Sequence, residues 1–137
     1  MEELFERHLR ANHYKITPPR SQVFTVLQKF APLTPKEVAD GLSARVDRAS
    51  TYRTISLFEK LGIIHHLVLG GRRVIELTDN FSRHHHHLTC TRCGAIQSVH
   101  DEHLEQQLHN MIDSYGFEAR SHTIEVSGIC HTCNTTR

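Results

Sequence analysis

Two Cys-x2-Cys pairs, Cys90/Cys93 and Cys130/Cys133, restrict this chain more than any other feature of its sequence. Four thiols in that spacing suit one tetrahedral structural zinc, and a shared site brings the last residues back onto the segment around Cys90. A redox dithiol needs only one such pair, and disulfides belong to oxidising compartments. The opening Met1-Glu-Glu-Leu-Phe-Glu-Arg is acidic where a secretory signal is basic and then apolar, and no long apolar run follows. The expectation is therefore a cytoplasmic chain without a membrane partner, with Zn(II) held by all four thiolates.

Around that staple the hydrophobic period changes along the chain. Thr17-Pro18-Pro19 and Thr34-Pro35-Lys36-Glu37 are helix starts, the second with the Glu that closes a capping box. The first of these helices should bury Val23, Phe24, Leu27 and Phe30, the second Val38 and Leu42. A third should start after Asp47 and run through Tyr52, Ile55, Phe58 and Leu61 to Gly62, and one over 2–11 should precede them all. Residues 63–69 and 72–77 then read as a hairpin around Gly70-Gly71. Three helices and a hairpin make a winged helix.

The second half reads as strands over 84–90 and 95–99, a helix from Asp101 to Gly116 burying Leu104, Leu108, Met111 and Ile112, and a strand over 117–126. The expected fold class is α+β, with a winged-helix domain at 1–77, a hinge at 78–83 and a small α/β dimerisation and metal-binding domain at 84–137.

Charge follows the same division. Residues 1–83 carry 13 Lys/Arg against 9 Asp/Glu, whereas 84–137 carry 3 against 6 and hold 9 of the 13 histidines. A basic half suits a polyanion and an acidic, histidine-rich half suits cations. In the third helix Arg53 has the donors for guanine, Tyr52 can pack on a thymine methyl, and Ser50 and Thr51 stand where phosphates meet a helix start. Lys15 and Arg20, with Arg72 and Arg73 on the wing, are the candidate backbone contacts.

His84-His85-His86-His87 runs straight into a strand, and strand side chains alternate between faces. His84 and His86 should thus serve one metal site, completed by Glu105 and His122, while His85 and His87 serve another. His65 and Glu76 on the wing strands are the expected partners of that second pair, with Asp79 the competing carboxylate. This second set would be the regulatory site, its ion fixing the angle between the halves. Ser98 stands where a further acid would be expected. Three imidazoles and a carboxylate suit Zn(II) or Fe(II), with Mn(II) a third option. The same donors also build zinc hydrolases, but both sets are already full and no separate nucleophile stands near them. A zinc-stapled adaptor with no sensing role is another reading.

With these residues in place, the chain resembles the ferric uptake regulator superfamily over nearly its whole length. The resemblance rests on Lys15-Ile-Thr-Pro-Pro-Arg20, Ala49-Ser-Thr-Tyr-Arg53, His84-His-His-His-Leu-Thr-Cys-Thr-Arg-Cys-Gly94 and Gly128-Ile-Cys-His-Thr-Cys133. It implies a homodimeric repressor, not an enzyme, that binds a palindromic double-stranded operator when its regulatory metal is bound. It also implies structural zinc on four cysteines. Many iron- and peroxide-sensing members take a histidine from the loop before the second helix, where Phe30-Ala-Pro-Leu-Thr34 has none. The unbroken histidine run with a wing ligand is similar to zinc-sensing members, although those often use a cysteine where this chain offers Glu76 or Asp79. Zinc is therefore placed before iron, and peroxide sensing third.

Overall fold

The computed structural model describes residues 1–43 and 46–135, which form two compact units, one up to Arg83 and one from His84. In the first unit, α1 (Glu2–Ala11), α2 (Pro18–Phe30), α3 (Pro35–Asp40) and α4 (Arg48–Lys60) precede a hairpin of β1 (Ile64–Leu69) and β2 (Arg72–Leu77). This is a winged-helix arrangement. The chain leaves α4 through Gly62 and turns the hairpin through Gly70 and Gly71, all at positive φ, where a side chain would be strained. Residue pairing runs from Ile64 opposite Leu77 to Leu69 opposite Arg72. Leu33 extends this sheet by an isolated bridge to Ile75: its N–H donates to the Ile75 carbonyl at 3.1 Å, and its carbonyl accepts from the Ile75 N–H at 2.7 Å.

The core of this unit is aromatic at its centre. Phe5 stacks on Phe24 at 4.1 Å and meets Phe58 edge-on at 5.4 Å, surrounded by Leu9, Val23, Leu27, Val38, Ile55, Ile63 and Ile75. Such offset and edge-to-face pairs add to the burial of their apolar area. Phe81, in the stretch expected as a hinge, is buried in the same core. His8, expected at the surface with most of the scattered histidines, is half-buried and bonds through Nε2 to the Leu61 carbonyl at 2.9 Å.

Three local expectations need correction. Phe30 closes α2 but is 65% exposed, because it follows the last turn that faces the core. Leu42 lies beyond the end of α3 and is only partly buried. Thr17 occupies the N-cap of α2 without a side-chain cap bond; prolines at the first two helical positions leave few N–H groups to cap. Thr34, by contrast, forms both bonds of its capping box.

The second unit has a three-stranded sheet in the order β4-β3-β5, from β3 (His86–Cys90), β4 (Ile96–Val99) and β5 (Glu125–Gly128). β3 is antiparallel to β4 and parallel to β5. Helix α5 (Glu102–Ser114) lies between β4 and β5 in sequence, and α6 (His131–Thr135) carries the last cysteine. Asp101 caps α5 by accepting from His103 N–H and Leu104 N–H.

Here too the strands are shorter than expected. β3 starts at His86, so His84 and His85 precede it, and of 117–126 only the last two residues belong to a strand. Helix α5 buries no residue: Leu104 is 39% and Met111 52% exposed, and Leu108 and Ile112 are half-buried. Among the described residues no helix is long and apolar enough to cross a membrane.

Candidate metal centres and reading face

The sulfur atoms of Cys90, Cys93, Cys130 and Cys133 lie within 4.8 Å of one another. Cys93 Sγ and Cys130 Sγ are 3.8 Å apart. A tetrahedral zinc with bonds of about 2.3 Å sets its sulfurs roughly 3.8 Å apart, so the cage has the right size. Cys90 ends β3, Gly94 at positive φ turns the chain back toward β4, and the first turn of α6 brings Cys133 up to Cys130. Arg92 ties the two knuckles by donating to the Cys133 carbonyl at 2.6 Å, a contact that the Cys-x2-Cys spacing alone did not reveal.

The thiols do not titrate alike. Backbone N–H groups of Cys130 and then Cys93 hold Cys90 down to about 6, so its thiolate forms readily. Hydrogen bonds among the neighbouring thiols, first Cys93 and then Cys130, push Cys133 up to about 12. Four thiolates this close require a cation among them, which is the chemistry zinc supplies when bound.

The second cluster is built within the same unit from His84, His86, Glu105 and His122. His86 Nε2 is 2.5 Å from Glu105 Oε1, His122 Nε2 is 3.1 Å from Glu105 Oε2, and His84 Nε2 is 3.6 Å from Oε1. His84 Nε2 and His122 Nε2 face each other at 3.0 Å. Two imidazole nitrogens at that distance share a single proton at best, whereas a cation satisfies both lone pairs. A tetrahedral ion with bonds of about 2.0–2.1 Å places its donors roughly 3.3 Å apart, within the range seen here. His86 is buried, with Nδ1 lacking a hydrogen-bond partner. Burial works to raise the Glu105 pKa, yet hydrogen bonds from His86 and His122, with the charge of His122 and His84, hold it below its ordinary value. The carboxylate is therefore ready to ligate.

The remaining expected metal ligands fall in pairs, one in each unit. In the first, His65 stands opposite Glu76 across the hairpin and bonds to it at 3.0 Å; Glu76 is buried. In the second, the His85 and His87 rings touch edge-on at 4.9 Å, and His87 is buried. The alternation along the run survives even though two of its members precede β3: His84 pairs with His86 at the same ring spacing. Ser98 lies directly opposite His87 on β4.

On the reading face, α4 starts at Asp47, whose carboxylate accepts from Ser50 N–H at 2.8 Å and from Ser50 Oγ at 2.7 Å. The Ser50 hydroxyl and then its N–H hold the Asp47 pKa low. Arg53 donates to Ser50 Oγ at 3.0 Å, and Tyr52 is 44% exposed. Thr51, expected among the groups facing outward, is fully buried with its hydroxyl on the Asp47 carbonyl. Lys15 is exposed, but Arg20 lies over the Tyr14 ring and donates to the Lys15 carbonyl, which closes the turn before α2. A groove of about 220 Å³ runs between the starts of α2 and α4, lined by Thr17, Arg20, Ser50 and Arg53 among others. On the wing Arg73 is exposed, whereas Arg72 pairs with Glu37 of α3 at 2.6 Å.

Comparison with known proteins matches these features to one family. The family model "Ferric uptake regulator family" matches residues 11–127. A curated relative, the ferric uptake regulation protein of Legionella pneumophila, is 32% identical over 97% of this chain and 99% of its own length. The crystal structure of the Vibrio cholerae ferric uptake regulator is similar with TM-score 0.69 and 27% identity, over 91% of this chain and 98% of that one. The Helicobacter pylori regulator, described as having three functional metal-binding sites, shares the fold with TM-score 0.78 at 24% identity, over 98% and 94%. Other solved structures of this fold are described with iron, manganese or zinc, and one is a zinc uptake regulator complexed with zinc and DNA.

Proposed function

Because the chain belongs to the ferric uptake regulator family, a family of metal-responsive transcription regulators and not of enzymes, we propose that it is a repressor with Zn(II) as its corepressor. The observation that supports the metal choice is the donor set: three imidazoles and one carboxylate make up both the regulatory ligands assigned below and the cluster on Glu105, whose four donors stand at tetrahedral spacing. Manganese favours six oxygen-rich ligands, and Fe(II) commonly keeps open positions. A second reading, Fe(II), is favoured by the relative named as a ferric uptake regulation protein.

We assign structural Zn(II) to the four cysteines and a second site to His84, His86, Glu105 and His122. The regulatory ion is assigned to His65 and Glu76 of the first unit and His85 and His87 of the second, since each pair offers only two donors. Residues 1–77 are taken as the DNA-binding domain and 84–137 as the dimerisation and metal-binding domain of a cytoplasmic homodimer. The outward apolar side chains of α5 support the pairing of two copies. The DNA ligand is a double-stranded operator, and the assigned contacts are Lys15, Ser50, Tyr52 and Arg53, with Arg20 shaping the turn that presents Lys15. Thr51 supports α4 from inside.

A ligand shifts a two-state equilibrium only by its differential affinity, and going from mostly open to mostly closed takes about 5 kcal/mol. Transition-metal chelation supplies that much. The test is to select an operator from random duplexes and titrate apo protein on it with Zn(II), Fe(II) and Mn(II). Zn(II) is expected to give tight binding at the lowest free metal, and His85→Ala with His87→Ala to abolish the response while the thiolate zinc stays. Fe(II) acting at lower free metal would install the second reading; a metal response retained by the double variant would remove the assigned regulatory ligands.

A further inference from the structure

In the cluster on Glu105, His84 and His122 are the two donors that lie outside the regular elements, and His84 is the one held by a side chain from elsewhere in the chain. The β3 ladder begins at His86 opposite Val99, so the ring of His84 projects from a segment that precedes the paired residues. A ligand must be held in place to bind tightly, and metal sites do this with hydrogen bonds outside the coordination sphere. Here the His84 carbonyl accepts from His100 Nδ1–H at 2.9 Å. The His100 side chain is only 28% exposed.

His100 occupies a particular place in the fold. It follows the last residue of β4 and precedes Asp101, whose carboxylate caps α5 at 2.9 and 3.1 Å. Glu105 lies one turn further along that helix, its N–H bonded to the Asp101 carbonyl. A single imidazole thus joins the backbone of one donor to the start of the helix that carries another. Its other nitrogen lies 3.7 Å from Glu102, a residue 82% exposed, in a surface contact that serves no ligand. The other histidine near the site, His109, bonds the Glu105 carbonyl from within α5 and cannot reach the coil before β3.

We propose that His100 is a positioning residue of this site, setting the distance between His84 and Glu105 through its Nδ1–H, and never a ligand. The proposal rests on the reading of the cluster as a metal site. Its consequence is specific to one ring nitrogen. In His100→Asn the amide nitrogen can stand where Nδ1 stands and keep the donor; in His100→Gln the amide falls where Nε2 stands and the donor is lost.

The probe is Co(II), added to protein whose four thiolates already hold zinc, followed by its visible ligand-field absorption. Glu105→Ala identifies the part of the signal that belongs to this site. The expected result is near wild-type affinity in His100→Asn and a loss on the order of tenfold or more in His100→Gln, with thiolate zinc content and circular dichroism unchanged. Equal affinity in wild type and His100→Gln, or equal losses in both variants, would overturn the positioning role while leaving the metal site standing. A wild-type signal that Glu105→Ala does not diminish would overturn the metal reading of the cluster and this proposal together.

Discussion

The two units are held together by different physics. In the first, most buried apolar side chains join a conventional core, with Phe5 in contact with both Phe24 and Phe58. In the second, among the described residues, Cys90 alone of the hydrophobic type is buried, beside the polar His86, His87 and Thr89. Burial stabilises by roughly 25 cal/mol per Å² of apolar surface, so the first unit has a driving force that the second lacks. The second unit is instead ordered around donor atoms. Its sheet buries two imidazoles and the Cys90 thiol, and Leu104 and Met111 of α5, with Tyr115 and Phe117 beyond it, are exposed. A chain segment built this way is expected to fold with its metal, whereas the winged helix folds on its own side chains.

The strongest way to break that contrast is to remove the staple. Cys93→Ser with Cys130→Ser should abolish cooperative folding of 84–135 while amide signals of the winged helix persist, as followed by two-dimensional NMR. Structural zinc contributes on the order of 10–16 kcal/mol of apparent binding energy in small finger peptides, more than a sheet with so little apolar burial can replace. Slow amide exchange throughout β3 and β5 in the doubly substituted, metal-free protein would show that the second unit folds by packing after all.

The complementary experiment strikes the aromatic core. Phe58 is completely buried against Phe5, and Phe58→Ala should cost about 3–5 kcal/mol, through lost transfer energy plus the cavity left behind. Denaturant unfolding of the first unit would shift accordingly, and zinc content should stay at the wild-type level. A loss of thiolate zinc in step with the core would mean that the units are not independent in stability.

The same contrast explains what was legible in the sequence. The first unit could be read almost element by element, because Thr34-Pro35 with Glu37, Gly62 and Gly70-Gly71 are local signals, and Val23, Phe24 and Leu27 bury on a helical period. Its exceptions are positional: Phe30 sits on the last turn of α2, and Thr51 faces inward because the burial stripe of α4 runs through Thr51, Thr54, Ile55 and Phe58. In the second unit the spacing of the cysteines and the alternation of the histidines signalled the donor clusters that the structure brings together. Periodicity failed there in two ways. The apolar spacing of α5 signalled a buried face, but among the described residues its apolar side chains are half-buried at most, and residues 117–124 form no strand despite their apolar content. The role of Arg72 was hidden for another reason: its partner Glu37 is 35 residues away, and only the folded hairpin brings them together.

The smallest expected effect sharpens the comparison through acid. Thr34→Ala removes one bond of the capping box and should cost the first unit about 1 kcal/mol. Glu37 takes part in the same box and pairs with Arg72; the Thr34 N–H is the largest influence lowering its pKa from 4.5, ahead of the opposing effect of burial. A carboxylate with a depressed folded pKa contributes stability above its unfolded pKa, and that contribution is lost as pH falls through the folded value. The first unit should therefore hold its stability down to about pH 4.5 and weaken below it. In Glu37→Gln the slope in that acid range should flatten. The second unit should respond earlier, because protons compete with zinc for every thiolate, including Cys133 with its pKa pushed up to about 12. Acid titration followed residue by residue should accordingly unfold the thiolate-stapled sheet at a higher pH than the winged helix, and simultaneous loss of both would contradict the division of stability between them.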